Sequence, residues 1–267
     1  MNQLNLKSFE EVNLLQTRFH KVRVCQLIDY IIKSAQNEKK TIVGNVNVRA
    51  MNLAYEQPWY RDFLNNSDLV FCDGFGVLLG AKLLGYSIQS SHRMTCPDYI
   101  ENFALACEKF DISLFLLAGK PGVVDQAIVK LKSIAPKLRV QGHHGYFQKS
   151  GKENDLVIQK INEFQPGILY VGFGMPLQER WILDNMNRIK AQVFLPLGAC
   201  LDFYTGAVDR GPNWMTNHGF EWLTRLLIEP QRLWKRYILG NPLFFYRVLK
   251  QRIAEGATTG YKPYLPE

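Results

Sequence analysis

Six short runs of apolar residues punctuate this chain, at 41–47, 68–72, 112–118, 138–143, 167–172 and 192–198. Several, such as Leu69-Val70-Phe71-Cys72, are apolar at consecutive positions rather than at every second one. A strand of that kind must be covered on both faces. Longer amphipathic stretches fill the gaps, at 48–65, 77–84, 97–110, 123–134, 153–164 and 177–190. Strands alternating with helices predict an α/β domain built on a mainly parallel sheet. With 267 residues, 47% of them hydrophobic, the chain can bury one large core, with or without an appendage.

No apolar stretch reaches the roughly 20 residues a spanning helix needs. The N-terminal segment has charges throughout and lacks the apolar core of a signal peptide. A cytoplasmic protein is therefore expected, soluble or seated on a membrane. The net charge of +8 points to an anionic partner, which composition alone does not identify. The five cysteines, Cys25, Cys72, Cys96, Cys107 and Cys200, are odd in number and form no CxxC. They predict buried thiols in a reducing compartment, not a disulfide framework or a zinc site. His143 and His144 are adjacent at a strand end, and alternation along a strand argues against their sharing a metal.

In parallel sheets, ligands bind where strand ends meet helix N-termini. Three such junctions carry glycines: Cys72–Gly76, 117–122 and 171–179, the last including Gly172 and Gly174. Each admits a close backbone approach to phosphate, and each is equally at home as a plain turn. Asp73 ends an apolar strand before Gly-Phe-Gly. It can serve as a general base or as the cap of the next helix. Arg93 precedes an expected helix start at Pro97, and arginine suits phosphate. Gln178 and Glu179 fall in a first helical turn, where an acid also complements the helix dipole. Asp202 and Arg210 flank a glycine turn and read equally as a structural pair. No DxD, HExxH, GxSxG or full dinucleotide fingerprint occurs.

Composition shifts after Asn213. Between Arg225 and Arg252 stand seven basic residues (Arg225, Arg232, Lys235, Arg236, Arg247, Lys250, Arg252), one acid (Glu229) and many apolar and aromatic ones. Pro230 and Pro242 are expected to divide this tail into short helices. Such a segment fits an anionic lipid surface, or a packed helical hairpin with a solvated face. The chain divides accordingly into a core, 1–213, and a basic helical appendage, 214–267.

Five segments in this order resemble the WecG/TagA/CpsF family of bacterial glycosyltransferases, glycosyltransferase family 26. They are CDGFGV, RMTCPD, VGFGMPLQERWI, LGACLDFYTGAVDRGPNWM and GFEWLTRLLIEPQRLWKRY, and the resemblance as a whole runs over about 41–236. The resemblance implies a Rossmann-like core with no metal or other cofactor. It implies inverting transfer of a sugar from a UDP-sugar to a polyprenyl-diphosphate-linked sugar. An anionic membrane surface on the cytoplasmic side is the implied setting. Asp73 becomes the general base, and Arg93 and Gln178 line the pocket. The substrate-binding set it implies also takes in Asn45, Asn47, Thr95, Gly172, Gly174, Glu179, Asp202 and Arg210. Arg225, Arg232 and Lys235 or Arg236 would meet the diphosphate, replacing metal in neutralising the leaving group. A homo-oligomer off the membrane, giving way to an active monomer on it, is also implied. Two positions depart from the family pattern. Asn45 stands where a threonine is usual, and Cys96 follows Thr95 where a glycine is usual.

Two other readings remain at this stage. One is a nucleotide-sugar epimerase or dehydrogenase, against which the missing dinucleotide fingerprint counts. The other is a basic RNA-binding module, which salt-sensitive RNA binding without vesicle binding would favour. The family resemblance makes nucleic acid an unexpected partner.

Overall fold

The computed structural model describes residues 9–37, 39–212, 215, 219 and 221–259, with the side chains of Glu221 and of 256–259 outside that description. An antiparallel hairpin comes first, β1 (Glu11–Leu14) and β2 (Thr17–His20). Its two-residue turn, Leu15 and Gln16, has positive φ at both positions (53° and 62°). That twist suits a hairpin, but residues with a Cβ rarely adopt it. Helix α1 (Val24–Ala35) then leads into six strands: β3 (Thr41–Val46), β4 (Leu69–Cys72), β5 (Leu114–Ala118), β6 (Val140–His143), β7 (Ile168–Gly172) and β8 (Val193–Pro196). They form one parallel sheet in the order β4-β3-β8-β7-β5-β6. All six expected runs are strands of this sheet.

The continuous apolar runs have a direct cause, because both faces of the sheet are buried. In β5, Leu114, Leu116 and Ala118 enter one core and Phe115 and Leu117 the other. The first core is closed by α1, α5 (Cys96–Lys109), α6 (Val123–Ile134) and α9 (Cys200–Thr205). The second is closed by α2 (Val48–Glu56), α3 (Pro58–Asn66), α4 (Phe75–Leu83), α7 (Gly151–Phe164) and α8 (Leu177–Asn185). Each fully buried Leu or Phe contributes about 1.5–3 kcal/mol.

Several expectations need correction. The helix expected over 48–65 is two, because Pro58 holds Gln57 extended (φ −124°, ψ 104°) and starts α3 at its own first position. Helix α8 stops at Asn185, whose side-chain amide turns back onto the Trp181 carbonyl at 2.9 Å. Cys96 and Cys200 are joined in a disulfide across 104 positions, tying the start of α5 to the start of α9. Cys72 and Cys107 are the buried thiols expected, while Cys25 is exposed. His144 lies beyond the end of β6, so strand alternation does not govern it, and the two imidazoles sit 4.3 Å apart.

The appendage comprises α10 (Glu221–Ile228), α11 (Pro230–Trp234), a π-helical turn (Lys235–Leu239) and α12 (Gly240–Thr259). Pro230 opens α11. Pro242 does not break the chain, which stays helical from the π turn into α12. Helix α12 packs on the core. A Cβ on Gly80 of α4 would come within 2.8 Å of Phe244, so glycine lets the helices touch. Arg247 donates to Asn52 at 2.9 Å and pairs with Glu56 at 2.8 Å. The Leu15 N–H at the hairpin turn donates to Gln251 at 2.8 Å. The division expected after 213 falls on residues outside the described set. No described helix is long and apolar enough to cross a membrane.

Candidate active site

The carboxyl ends of β4, β3, β8 and β7 converge, and the missing Cβ atoms of glycines bring their turns together. A Cβ on Gly74 would lie 2.9 Å from the Asn47 backbone, and one on Gly172 would lie 2.5 Å from the Gly198 carbonyl. Asn47 caps α2, its side chain accepting from the Ala50 N–H at 3.1 Å. Asp73 is not a cap, since Gly74 holds that position for α4. The Asp73 N–H donates to the Val46 carbonyl at 2.8 Å, which fixes its backbone beside β3. Its carboxyl is half-buried at the sheet's open end. Arg93 reaches the same place because its segment forms a parallel bridge to Cys72, with the Met94 N–H donating to the Cys72 carbonyl at 2.9 Å. Burial pushes the Cys72 thiol up to about 12, and both Asp73 and Arg93 act on it electrostatically.

The appendage closes over this end of the sheet. Arg236 is turned inward, with its Nε buried and without a hydrogen-bond partner. Burial lowers its pKa to about 10, the Arg225 and Arg49 charges push the same way, and Asp73 opposes them. Arg225 lies over the Phe203 ring at 4.9 Å and also has a buried, partnerless Nε. Asp202 stands nearby on α9, within reach of Lys120, Arg225 and Arg232; burial raises its pKa. Arg49, Arg225 and Arg236 thus crowd together near the carboxylates Asp73 and Asp202, a charge balance that favours an anionic ligand.

Not every expected residue faces this space. Asn45 is buried in the sheet and donates to the Pro196 carbonyl. Gln178 and Glu179 are fully buried beneath the turns, so Glu179 does more than complement a helix dipole. Thr95 is the N-cap position of α5. Arg210 pairs with Asp98 of α5, correcting the Asp202–Arg210 pairing considered from spacing. Arg232 pairs with Glu229 on the surface, and Lys235 is exposed beside Trp234. Gly174 takes a left-handed conformation (φ +86°) that its turn requires. Arg49, Lys120 and Tyr60 escaped the sequence reading. A cation in the first turn of α2 opposes the helix dipole, and that was a usable signal for Arg49. Among the described residues, no three His, Cys, Asp or Glu side chains stand together as a metal site.

The profile of the glycosyl transferase WecG/TagA/CpsF family matches residues 12–258. The chain belongs to that family. It is therefore a glycosyltransferase, and the epimerase, dehydrogenase and RNA-binding readings fall away. Among its relatives is an N-acetylglucosaminyldiphosphoundecaprenol N-acetyl-beta-D-mannosaminyltransferase of Bacillus subtilis (strain 168), 30% identical over 84% of this chain and 85% of the relative. The enzyme of the same name from Staphylococcus aureus (strain NCTC 8325 / PS 47) is 26% identical over 91% of this chain and 93% of the relative. For a glycosyltransferase of this family, the arrangement supplies one carboxylate at a strand end and a roof of arginines above it.

Proposed function

We propose that this glycosyltransferase moves an N-acetylmannosaminyl group from its UDP-linked donor to N-acetylglucosaminyl-diphosphoundecaprenol at the cytoplasmic face of the membrane. The observation that carries this reading is the opposition of Asp73 to Arg225 and Arg236, whose Nε atoms are buried without a hydrogen-bond partner. Asp73 takes the proton of the acceptor hydroxyl. The oxygen attacks the anomeric carbon, and the bond to the diphosphate breaks on the opposite face. The electron pair leaves with UDP, whose growing charge Arg225 and Arg236 neutralise, with Arg232 at the rim. Asn47 and Arg93 border the acceptor side. Arginines in this role make a divalent cation unnecessary. The relatives are named for transfer of a beta-linked sugar. From an α-linked nucleotide sugar, that product requires inversion.

The outer face of the appendage supports the membrane setting. Leu227, Ile228, Trp234, Ile238, Leu239, Leu243, Tyr246, Leu249 and Ile253 are all exposed along it, with Arg232, Lys235, Lys250 and Arg252 among them. Such a stripe suits anionic lipid, and off the membrane it is the face that copies of the chain would share.

The test is transfer to a diphosphate-linked N-acetylglucosamine lipid from a panel of UDP-sugars, with EDTA present. Transfer from UDP-N-acetylmannosamine at full rate is expected. Transfer only from another donor would replace the sugar in this reading, and transfer only with added metal would remove the arginines' role.

A further inference from the structure

Beneath the glycine turns lies a polar network that the transfer chemistry leaves unused. Gln178 is 0% exposed and Glu179 is 2% exposed. The Gln178 side-chain oxygen accepts from the Gly174 N–H and from the Gly198 N–H, each at 3.1 Å. Gly174 follows β7 and Gly198 follows β8, so one oxygen ties together two turns that border the site. With the oxygen committed to two donors, the amide NH2 must face the other way. There it donates to Glu179 Oε1 at 2.9 Å, which also accepts from the Tyr60 hydroxyl of α3 at 3.3 Å.

A buried primary amide has two orientations, and the reversed one would set its NH2 against two N–H donors. An acceptor at position 179 selects the productive orientation, and an apolar side chain there would not. The arrangement is held against a cost. Glu179 Oε2 is buried and without a partner, and burial raises the carboxyl pKa to about 7. Arg49 of α2 and Tyr60 of α3 face the carboxyl, and Arg49 also acts on Arg236. The network therefore adjoins the arginine cluster. Strained or costly buried groups of this kind concentrate at functional sites.

We propose that Glu179 is a positioning residue, acting through Gln178 to hold the Gly174 and Gly198 turns in one geometry at the ends of β7 and β8. Its kinetic consequence rests on the transfer reading above; its structural consequence does not. Glu179→Met keeps the side-chain length and removes the acceptor. It should lower kcat about 10–100-fold, the effect of misplacing groups by an ångström. UDP affinity, set by the appendage arginines, should stay within about threefold. Glu179→Gln restores an acceptor for both donors and should return kcat to within about threefold of wild type.

Amide hydrogen exchange gives a readout that needs no catalysis. The Gly174 and Gly198 amides should exchange slowly in wild type and in Glu179→Gln, and about tenfold faster or more in Glu179→Met. Unprotected Gly174 and Gly198 amides in wild type would overturn the proposal. So would wild-type kcat in Glu179→Met, or a Glu179→Gln variant as slow as the methionine one. Should Glu179→Met not fold, wild-type exchange and the glutamine variant decide the matter. A wild type that transfers nothing while both amides stay protected would sink the functional reading and leave the brace standing.

Discussion

The two walls around Asp73 satisfy their polar groups in different ways. On the strand-end side, Gly74 and Gly172 leave no room for a Cβ, and Gln178 and Glu179 close hydrogen bonds across two turns. On the appendage side, Arg225 and Arg236 enter the protein with buried nitrogens that have no partner. The first wall holds its geometry without a ligand. The second carries more positive charge than Asp73 and Asp202 offset, and an anion would complete the balance. In a transferase this difference separates two tasks: the base must be fixed in advance, and the leaving group must be met when it arrives.

Changing the strand-end wall should cost the most. Asp73→Asn keeps the shape and removes the proposed base, and is expected to lower kcat by about 10²–10⁴-fold with little change in Tm. Steady-state transfer and a thermal melt check both halves. On the appendage wall, Arg236→Met should lower kcat/KM by about 10²–10³-fold, the usual loss for one charge-stabilising donor. In the absence of substrate the same variant should be more stable, by about 1–4 kcal/mol, because a crowded buried cation is gone. A destabilised Arg236→Met would break the contrast between the walls.

A third expectation concerns pH. Burial raises the Glu179 pKa from the usual 4.5 to about 7. Between these values the folded protein keeps a proton that the unfolded chain has released. The stability from this group is full below about pH 4.5 and is lost as pH rises to about 7, then stays level. The loss amounts to roughly 3 kcal/mol. Glu179→Gln should remove that slope, as urea unfolding at several pH values would show; an unchanged slope would place the titration elsewhere. The smallest effect concerns the outer face. Ile238→Asp on the exposed stripe should weaken binding to anionic vesicles about tenfold or more. Val129→Asp, at an exposed apolar position on α6, should leave it unchanged. Equal losses in both would mean that the stripe has no special role.

The sequence displayed the sheet clearly, because burial on both faces writes itself as unbroken apolar runs such as Leu114–Ala118. The position of Asp73 was legible for a related reason, since an acid directly after such a run stands at the strand's end, but its spacing fitted a helix cap as well as a base. Other features depend on partners far away in the chain. The hairpin turn uses Leu15 and Gln16 at positive φ, with none of the usual turn residues, and is steadied by Gln251. The Cys96–Cys200 link joins two helix starts that only the fold makes neighbours. Neighbouring residues of the appendage, Lys235 and Arg236, face opposite ways, which composition cannot express. The role of Gln178 depends on Gly174 and Gly198, twenty-four positions apart (198 − 174), meeting at one oxygen.

The most direct measurement is the anomeric configuration and rate of the product formed from UDP-N-acetylmannosamine with EDTA present, for wild type and Asp73→Asn. A β-linked product from wild type, formed about 10²–10⁴-fold more slowly by the variant, is the result expected of a single displacement with Asp73 as base. An α-linked product, or a variant as fast as wild type, would contradict it.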